Sequence, residues 1–305
     1  MLRLTHLLLL LLLTLGAVGH IAAQTTATLP ILKGRVLDAQ TKVPVPFAYL
    51  HLHTERTGTL ANAQGHFELA APQVSAVDTL VIEALNYLPH TIRLSSSQLT
   101  DSTLRLEKVP PVLEAGPLIG AKVTLQQVGA QAKKPGEGMI QGLTGAQFAL
   151  FMQPSRKQQL GIIHSVSFFI SENGYPKEPF RVRIYQADGP NHSPGTNLLT
   201  ENIVVKASDG GQWFTVDISK YHVKAAPEGF LVAMEWLYGA GYIFHYPHFD
   251  DSSSIYGQVL RPTFEFKESL TWNYTIGKGW TLITLANSQC RRYNAMIKAE
   301  VETLH

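Results

Sequence analysis

The chain has one cysteine, Cys290, in 305 residues. No disulfide can form within it, and a zinc site built on paired thiolates is excluded. A scaffold stapled by disulfides, common in small secreted eukaryotic modules, is thereby excluded. Charge is sparse as well. Charged residues make up 16% of the sequence and the formal net charge is +2, so the electrostatic footprint of a nucleic-acid binder is missing. With 45% hydrophobic residues the chain is not one kept disordered by high charge and low hydrophobicity.

Several chemical motifs are missing too. No H-x-x-E, H-E-x-x-H, G-x-S-x-G or P-loop pattern occurs anywhere. The glycines of "GEGMIQG" have the wrong spacing for a phosphate cradle and follow no strand pattern. No complete catalytic constellation is present, and no cofactor is expected. A long apolar run occurs only at the N-terminus. There Arg3 precedes "HLLLLLLLTLGAVG", and "HIAAQ" offers Ala23 before a cleavage at Gln24. That is the layout of a secretory signal peptide, expected over residues 1–23. The run falls short of the ~20 apolar residues a membrane anchor needs, and no later stretch is long and apolar enough to span a bilayer. The expected address is therefore outside the cytoplasm: periplasm, outer-membrane-associated or cell surface.

What remains reads almost entirely as strands. "FRVRIY" places Phe180, Val182 and Ile184 on one face and Arg181, Arg183 and Tyr185 on the other. "WFTVDI" sets Phe214, Val216 and Ile218 against Trp213, Thr215 and Asp217. A period of two is the mark of a half-buried strand. "GFLVAMEWL" is apolar at nearly every position, Glu235 aside, and reads as a strand covered on both faces. No long helical period occurs. Turn residues recur at short intervals, a spacing that points to sandwiches or barrels. A seam rich in Gly, Pro, Ala and Gln divides the chain. The expected organisation is a first domain over 28–108, a linker or edge strand of domain two over 109–144, and a second domain over 145–305.

In the first domain, "LKGRVLD" is a strand and "DAQTKVP" a turn opened by Asp38. "GTLANAQGHFEL" has Asn62 and Gly65 bracketing a tight turn. The order G-x-V-x-D, P-x-P-F-A, G-T-x-x-N-x-x-G-x-F and a final bend before Tyr runs through Gly34, Val36, Asp38, Pro44, Pro46, Phe47, Ala48, Gly58, Thr59, Asn62, Gly65, Phe67 and Tyr87. It resembles the carboxypeptidase regulatory-like domain, over about 31–107. The resemblance implies a transthyretin-like β-sandwich of about seven strands without catalytic residues. Such domains accompany metallocarboxypeptidases and also stand at the front of exported Bacteroidota-type proteins. One departure is visible: Asn86 stands where that pattern has Gly, and Asn also tolerates the left-handed backbone region. The second domain resembles a jelly-roll-like β-sandwich found after such domains. The fold class expected is all-β, two sandwiches in series.

Three features could carry chemistry. "YIFHYPHFDD" brings His245, His248, Asp250 and Asp251 close in sequence, and imidazole with carboxylate is ligand chemistry for zinc and similar metals. In an extended strand, residues three apart point to opposite faces. The pair converges only if Pro247 bends the chain; otherwise the stretch is a polar loop. "TWNYTIGKGW" supplies Trp272, Tyr274 and Trp280, with Tyr238 and Tyr242 nearby in sequence. Exposed aromatics of this kind stack on sugar rings or grip a peptide, and buried ones pack a core. His51 and His53 share a strand face, with His66 as a third, and read as a solvated face or a metal pair. The leading expectation is a non-enzymatic exported binding or interaction protein of the bacterial envelope, with a glycan or an envelope protein as partner. The alternatives are a carbohydrate-binding module using the strip near Trp272 and a metal-dependent hydrolase centred on His245.

Overall fold

In a computed structural model, the residues described are 31–53, 58–70, 79–94, 102–109, 123–138, 140, 142–153, 159–237, 243–245 and 254–304. The expected leader over residues 1–23 and most of the His245–Asp251 stretch lie outside them. Seven strands come first: β1 (Ile31–Asp38), β2 (Tyr49–Leu52), β3 (Gly58–Leu60), β4 (His66–Ala70), β5 (Thr79–Glu83), β6 (His90–Arg93) and β7 (Ser102–Leu106). They form two sheets, of order β4-β1-β7 and β3-β2-β5-β6. The alternation of β1 buries Leu32, Val36 and Asp38. Those leucine and valine side chains meet Leu50, Leu52, Leu80 and Ile82 from the facing sheet in one core.

Two motif positions explain themselves here. A Cβ on Gly34 would come 2.1 Å from the Ser102 carbonyl and 2.9 Å from the Phe67 ring, so no side chain fits between β1 and its neighbours. Asp38 closes its turn by accepting from the Gln40 and Thr41 amides at 2.9 and 2.8 Å. Its second oxygen accepts from the Tyr87 hydroxyl at 3.1 Å and lies 3.5 Å from Lys108 Nζ. The Asp38 carboxylate thus ties the first turn to the distant bend. Asn86 in that bend has φ 67°, the left-handed region that Gly fills in the resembled pattern.

The second group of strands begins with β8 (Val123–Gly129), β9 (Gln147–Met152), β10 (Gln159–Gly174), β11 (Phe180–Gln186), β12 (Ile203–Val205), β13 (Gln212–Asp217) and β14 (Phe230–Trp236). It continues with β15 (Ile243–His245), β16 (Ser254–Tyr256), β17 (Gln258–Leu260), β18 (Pro262–Thr263), β19 (Thr271–Thr275), β20 (Gly279–Leu282), β21 (Asn294–Ala295) and β22 (Ile297–Leu304). A six-stranded sheet of order β12-β11-β14-β9-β19-β20 faces a sheet of order β13-β10-β22-β8, with β17 also paired to β10. Strand β8, drawn from the seam, forms the edge beside β22. Between the sheets lie Phe168, Phe180, Val182, Ile184, Met234 and Trp236. The fold is all-β. Among the described residues the helical elements are the short 3-10 turns Pro190–His192 and Ser219–Tyr221, and no helix is long and apolar enough to cross a membrane. Ile31–His305 forms one compact unit.

Strand β14 is buried at every position, as its apolar run implies. Strand β11 departs from the half-buried expectation. Phe180, Val182 and Ile184 do enter the core, but the alternate face of Arg181, Arg183 and Tyr185 is buried as well. Arg181 is covered there by Phe47 and Tyr49 of the first sandwich, and Tyr185 by Trp272 and Trp280 of its own sheet, contacts that the local alternation of one strand does not encode.

The Asp38 turn yields a pH prediction. The Thr41 amide bond, acting against burial and joined by the Gln40 amide and the Thr41 and Tyr87 hydroxyls, holds the Asp38 carboxyl well below the usual carboxylate range. A lowered folded-state pKa adds stability that is complete above the ordinary value of 3.8 and is lost as pH falls below it. Thermal unfolding followed from pH 7 to pH 2.5 should therefore show a steeper loss of Tm below pH 4 in the native protein than in Asp38→Asn. Parallel curves would refute the assignment.

Candidate functional site: a cleft at the junction of the two sandwiches

The cross-strand register of the six-stranded sheet determines which side chains share its outer face. Trp280 pairs with Tyr274, Tyr274 with Gln147, Gln147 with Glu235, and Glu235 with Arg181. The next row runs Leu282, Trp272, Ala149, Ala233 and Arg183. Small side chains in the middle of that second row leave room for Trp272, which is 9% exposed and packs with Ala149, Tyr185, Leu231 and Ala233.

The first row meets the first sandwich. Phe47, Tyr49 and Leu60 pack with Leu237 and Ile276 in a small junction core. Phe47 sits at φ 56°, a left-handed conformation that costs a non-glycine residue about 1–2 kcal/mol. Its carbonyl accepts from Arg181 Nη2 at 3.3 Å, and its ring stands 5.5 Å from the Arg181 guanidinium carbon. Arg181, 1% exposed, grips Glu235, 0% exposed, through two bonds of 2.8 and 2.5 Å. Burial opposes the Arg181 charge, but the Glu235 carboxylate outweighs it and keeps the guanidinium pKa above its ordinary value. A second tie crosses the junction at the Asn86 bend, where the side-chain amide donates to the Thr200 carbonyl. The departure from Gly at this position thus has a structural use.

Beside this lock a cleft of about 710 Å³ opens. Tyr49, Glu83 and the 84–87 bend line it from the first sandwich; Gln147, Arg183, Tyr185, Asn197, Tyr274 and Trp280 line it from the second. Its aromatics form a continuous row. Tyr49 meets Tyr274 edge-on at 6.0 Å, Tyr274 meets Trp280 at 5.2 Å, and Trp280 meets Tyr185 edge-on at 5.5 Å. A chain of hydrogen bonds runs beneath them. Arg183 Nε donates to the Tyr185 hydroxyl at 3.0 Å, that hydroxyl donates to Gln147 Oε1 at 2.7 Å, and Gln147 Nε2 donates to the Tyr49 hydroxyl at 2.8 Å. Burial, then the nearby Glu235 charge, pushes the Tyr49 phenol well up, and burial with the Glu83 charge does the same to Tyr274. Both therefore stay protonated.

Two polar atoms of the cleft's lining are left over. Arg183 Nη1 and Asn197 Oδ1 are buried and have no hydrogen-bond partner among the described residues. Orphaned atoms occur elsewhere too, at His51, Gln126, Gln258 and Arg261, but among the described residues only Arg183 and Asn197 of this set line the cleft. One is a donor and one an acceptor.

The structure brings Tyr274 and Trp280 into the cleft and places Trp272 in the packed face beside it. Tyr238, Tyr242, His248, Asp250 and Asp251 lie outside the described residues. His245 ends β15 opposite Ser254, and its side chain is likewise outside the described part. His51 is on β2 and His66 on β4, in different sheets; His53 is exposed just past β2. Among the described residues no group of three or more His, Cys, Asp or Glu side chains could hold a metal ion. The sequence reading missed Tyr49, Gln147, Arg183, Tyr185 and Asn197. One signal was available: two arginines on one face of an apolar strand, and a lone Glu235 in another, are costly to bury unless they meet.

Residues 32–114 match the model of the CarboxypepD_reg-like domain, so the first sandwich and the residues just after it carry that family's pattern. No curated protein matches the chain. Among solved structures, the chain is similar to a proposed carbohydrate binding protein from Bacteroides uniformis ATCC 8492, at 12% identity and a TM-score of 0.21, over 76% of this chain and 97% of that one. It is also similar to BcpA, the major pilin subunit of Bacillus cereus, at 10% identity and a TM-score of 0.17, over 91% of this chain and 69% of that one. At such scores neither likeness bears on the function of this chain.

The Arg181–Glu235 lock yields a stability prediction. Removing one partner strands a buried charge, so Glu235→Gln or Arg181→Met alone should destabilise the fold by about 3–5 kcal/mol in denaturant unfolding. The variant with Arg181→Met, Arg183→Met and Glu235→Leu together strands no charge of this cluster and should recover much of that loss. Additive single losses would show that the two side chains act independently.

Proposed function

We propose that the protein is a non-enzymatic binding protein of the cell envelope whose junction cleft takes a carbohydrate. The observation that carries this reading is the aromatic row of Tyr274, Trp280 and Tyr185 beside an unpaired donor and an unpaired acceptor. A sugar ring offers a C–H face to stack on an aromatic and hydroxyls that both accept and donate. Once the two side chains turn into the cleft they line, one hydroxyl can accept a hydrogen bond from the Arg183 guanidinium while another donates to Asn197 Oδ1, satisfying two atoms whose buried isolation is costly. The cleft volume falls in the range of about 300–1,000 Å³ common to small-ligand sites.

A binding role is favoured over glycoside cleavage by the state of the carboxylates. Such cleavage ordinarily needs two carboxyl groups flanking the scissile bond. Of the two nearest here, Glu235 is fully buried and held by Arg181, which leaves Glu83 as the one carboxylate on the cleft wall among the described residues. The export part of the proposal rests on the leader expected at residues 1–23, and the CarboxypepD_reg-like match is consistent with an accessory part.

A glycan array probed with the purified protein, followed by calorimetry on the hits, tests the reading. Trp280→Ala should weaken binding about tenfold, equivalent to about 1.4 kcal/mol, with a smaller loss of Tm than Trp272→Ala because Trp280 is only partly buried against the same cluster. Trp272→Ala should instead cost about 3–5 kcal/mol of stability, because it empties a packed site. The absence of binding to any glycan at millimolar concentration, or binding indifferent to Trp280→Ala, would sink the proposal. Turnover of a bound glycan would sink its non-enzymatic part.

A further inference from the structure

We propose that the sugar taken by this cleft carries a carboxylate and that Arg183 receives it. The inference rests on the carbohydrate reading of the cleft and adds the charge of the ligand. Its basis is an imbalance in the buried cluster under the cleft. Two guanidinium groups, Arg181 and Arg183, share one carboxylate, Glu235.

The sharing is unequal. Arg181 bonds both Glu235 oxygens and spends its other donors on the Phe47 carbonyl and Asn202 Oδ1. Arg183 Nε lies 3.8 Å from Glu235 Oε2, too far for a hydrogen bond, and donates instead to the neutral Tyr185 hydroxyl. The Arg183 guanidinium also lies over the Tyr185 ring, 5.4 Å from its centroid, a contact that does not neutralise charge. Its Nη1 has no partner among the described residues. Arg183 is 6% exposed, so this is a nearly dry positive charge with the Nη1 amino group unspent. A buried charge without a full counter-ion is costly to keep, and a ligand carboxylate is the group that completes it.

The surroundings favour an anion at this end of the cleft. Glu83 also lines the cleft, but no ion pair joins it to Arg183 among the described residues. Its charge falls on Tyr274, whereas burial opposes the Arg183 charge and the Glu235 carboxylate is the anion near enough to favour it. Asn197 pairs with Tyr185 across a β-bridge, which sets Arg183, Tyr185 and Asn197 on one face. The acceptor Asn197 Oδ1 is then placed for a hydroxyl of the ring whose carboxylate meets Arg183. Glu83, which lines the cleft from the first sandwich, is an acceptor for hydroxyls of the neutral sugars. The ligand class is a glycan with a uronic or other carboxylated sugar beside neutral ones.

Calorimetry on the whole protein with matched glycans decides this. The probes are sialyl-lactose against lactose, and trigalacturonic acid against its carboxyl-reduced, neutral form. In at least one pair the acid should bind tenfold or more tightly than its neutral partner, and the advantage should shrink in high salt. Arg183→Met should bring that ratio close to one. It should also keep or raise Tm, because it removes the excess charge and leaves the Arg181–Glu235 pair intact. Binding in which neutral partners match the acids in every pair overturns this inference and leaves the carbohydrate reading standing. No binding by any member overturns both. A fall in Tm of more than about 4 °C for Arg183→Met assigns Arg183 a structural role and likewise overturns the inference.

Discussion

The junction between the two sandwiches depends on one buried ion pair. Arg181 reaches from the six-stranded sheet to Glu235 on the neighbouring strand and, with the same guanidinium, to the backbone carbonyl of Phe47 in the other sandwich. Isolated in the interior, either charge would be prohibitive; together they satisfy each other and hold the Phe47 backbone in a strained conformation. The surrounding packing of Tyr49, Leu60, Leu237 and Ile276 excludes water from the pair and strengthens it. Removing the lock would loosen the surface on which every residue of the cleft is mounted.

The cleft is a by-product of that docking. The first sandwich does not cover the outer face of the six-stranded sheet completely, and the uncovered part is what Tyr274, Trp280, Tyr185 and Arg183 line. Rigid strands carry most of these side chains, so their spacing is set by the β-lattice and not by loop conformation. The same register that puts Glu235 opposite Arg181 puts Gln147 within reach of both Tyr49 and Tyr185. The junction and the proposed ligand site therefore draw on one polar network, whose two guanidinium groups share a single carboxylate.

Much of the fold was legible residue by residue. Alternation in "FRVRIY" and the unbroken apolar run of β14 follow from the two-residue period of a strand, a local property. The turn at Asn62–Gly65 was legible for the same reason: Gly65 has φ 75°, and its amide bonds back to the Asn62 carbonyl. The aromatic candidates Tyr274 and Trp280 stood out because they are large and close in sequence. Their separation from Trp272 did not, since all three share a sheet face and only the smaller neighbours Ala149 and Ala233 decide which ring is buried. Arg183 and Asn197 were not legible as a pair, because a bridge across a loop brings them together.

By itself, then, the sequence determined the strand periods, the tight turns, the shortage of crosslinking and charge, and the regulatory-like pattern of the first sandwich. These are matters of near neighbours, of backbone stereochemistry and of composition. Only the tertiary structure decided that the polar face of β11 is buried, that Asn86 spans the junction to Thr200, and that Arg183 is left with a donor unspent. Each of those depends on groups far apart in the chain meeting in a dry place, where the partner a charge finds, or fails to find, is set by packing and register rather than by its neighbours in sequence.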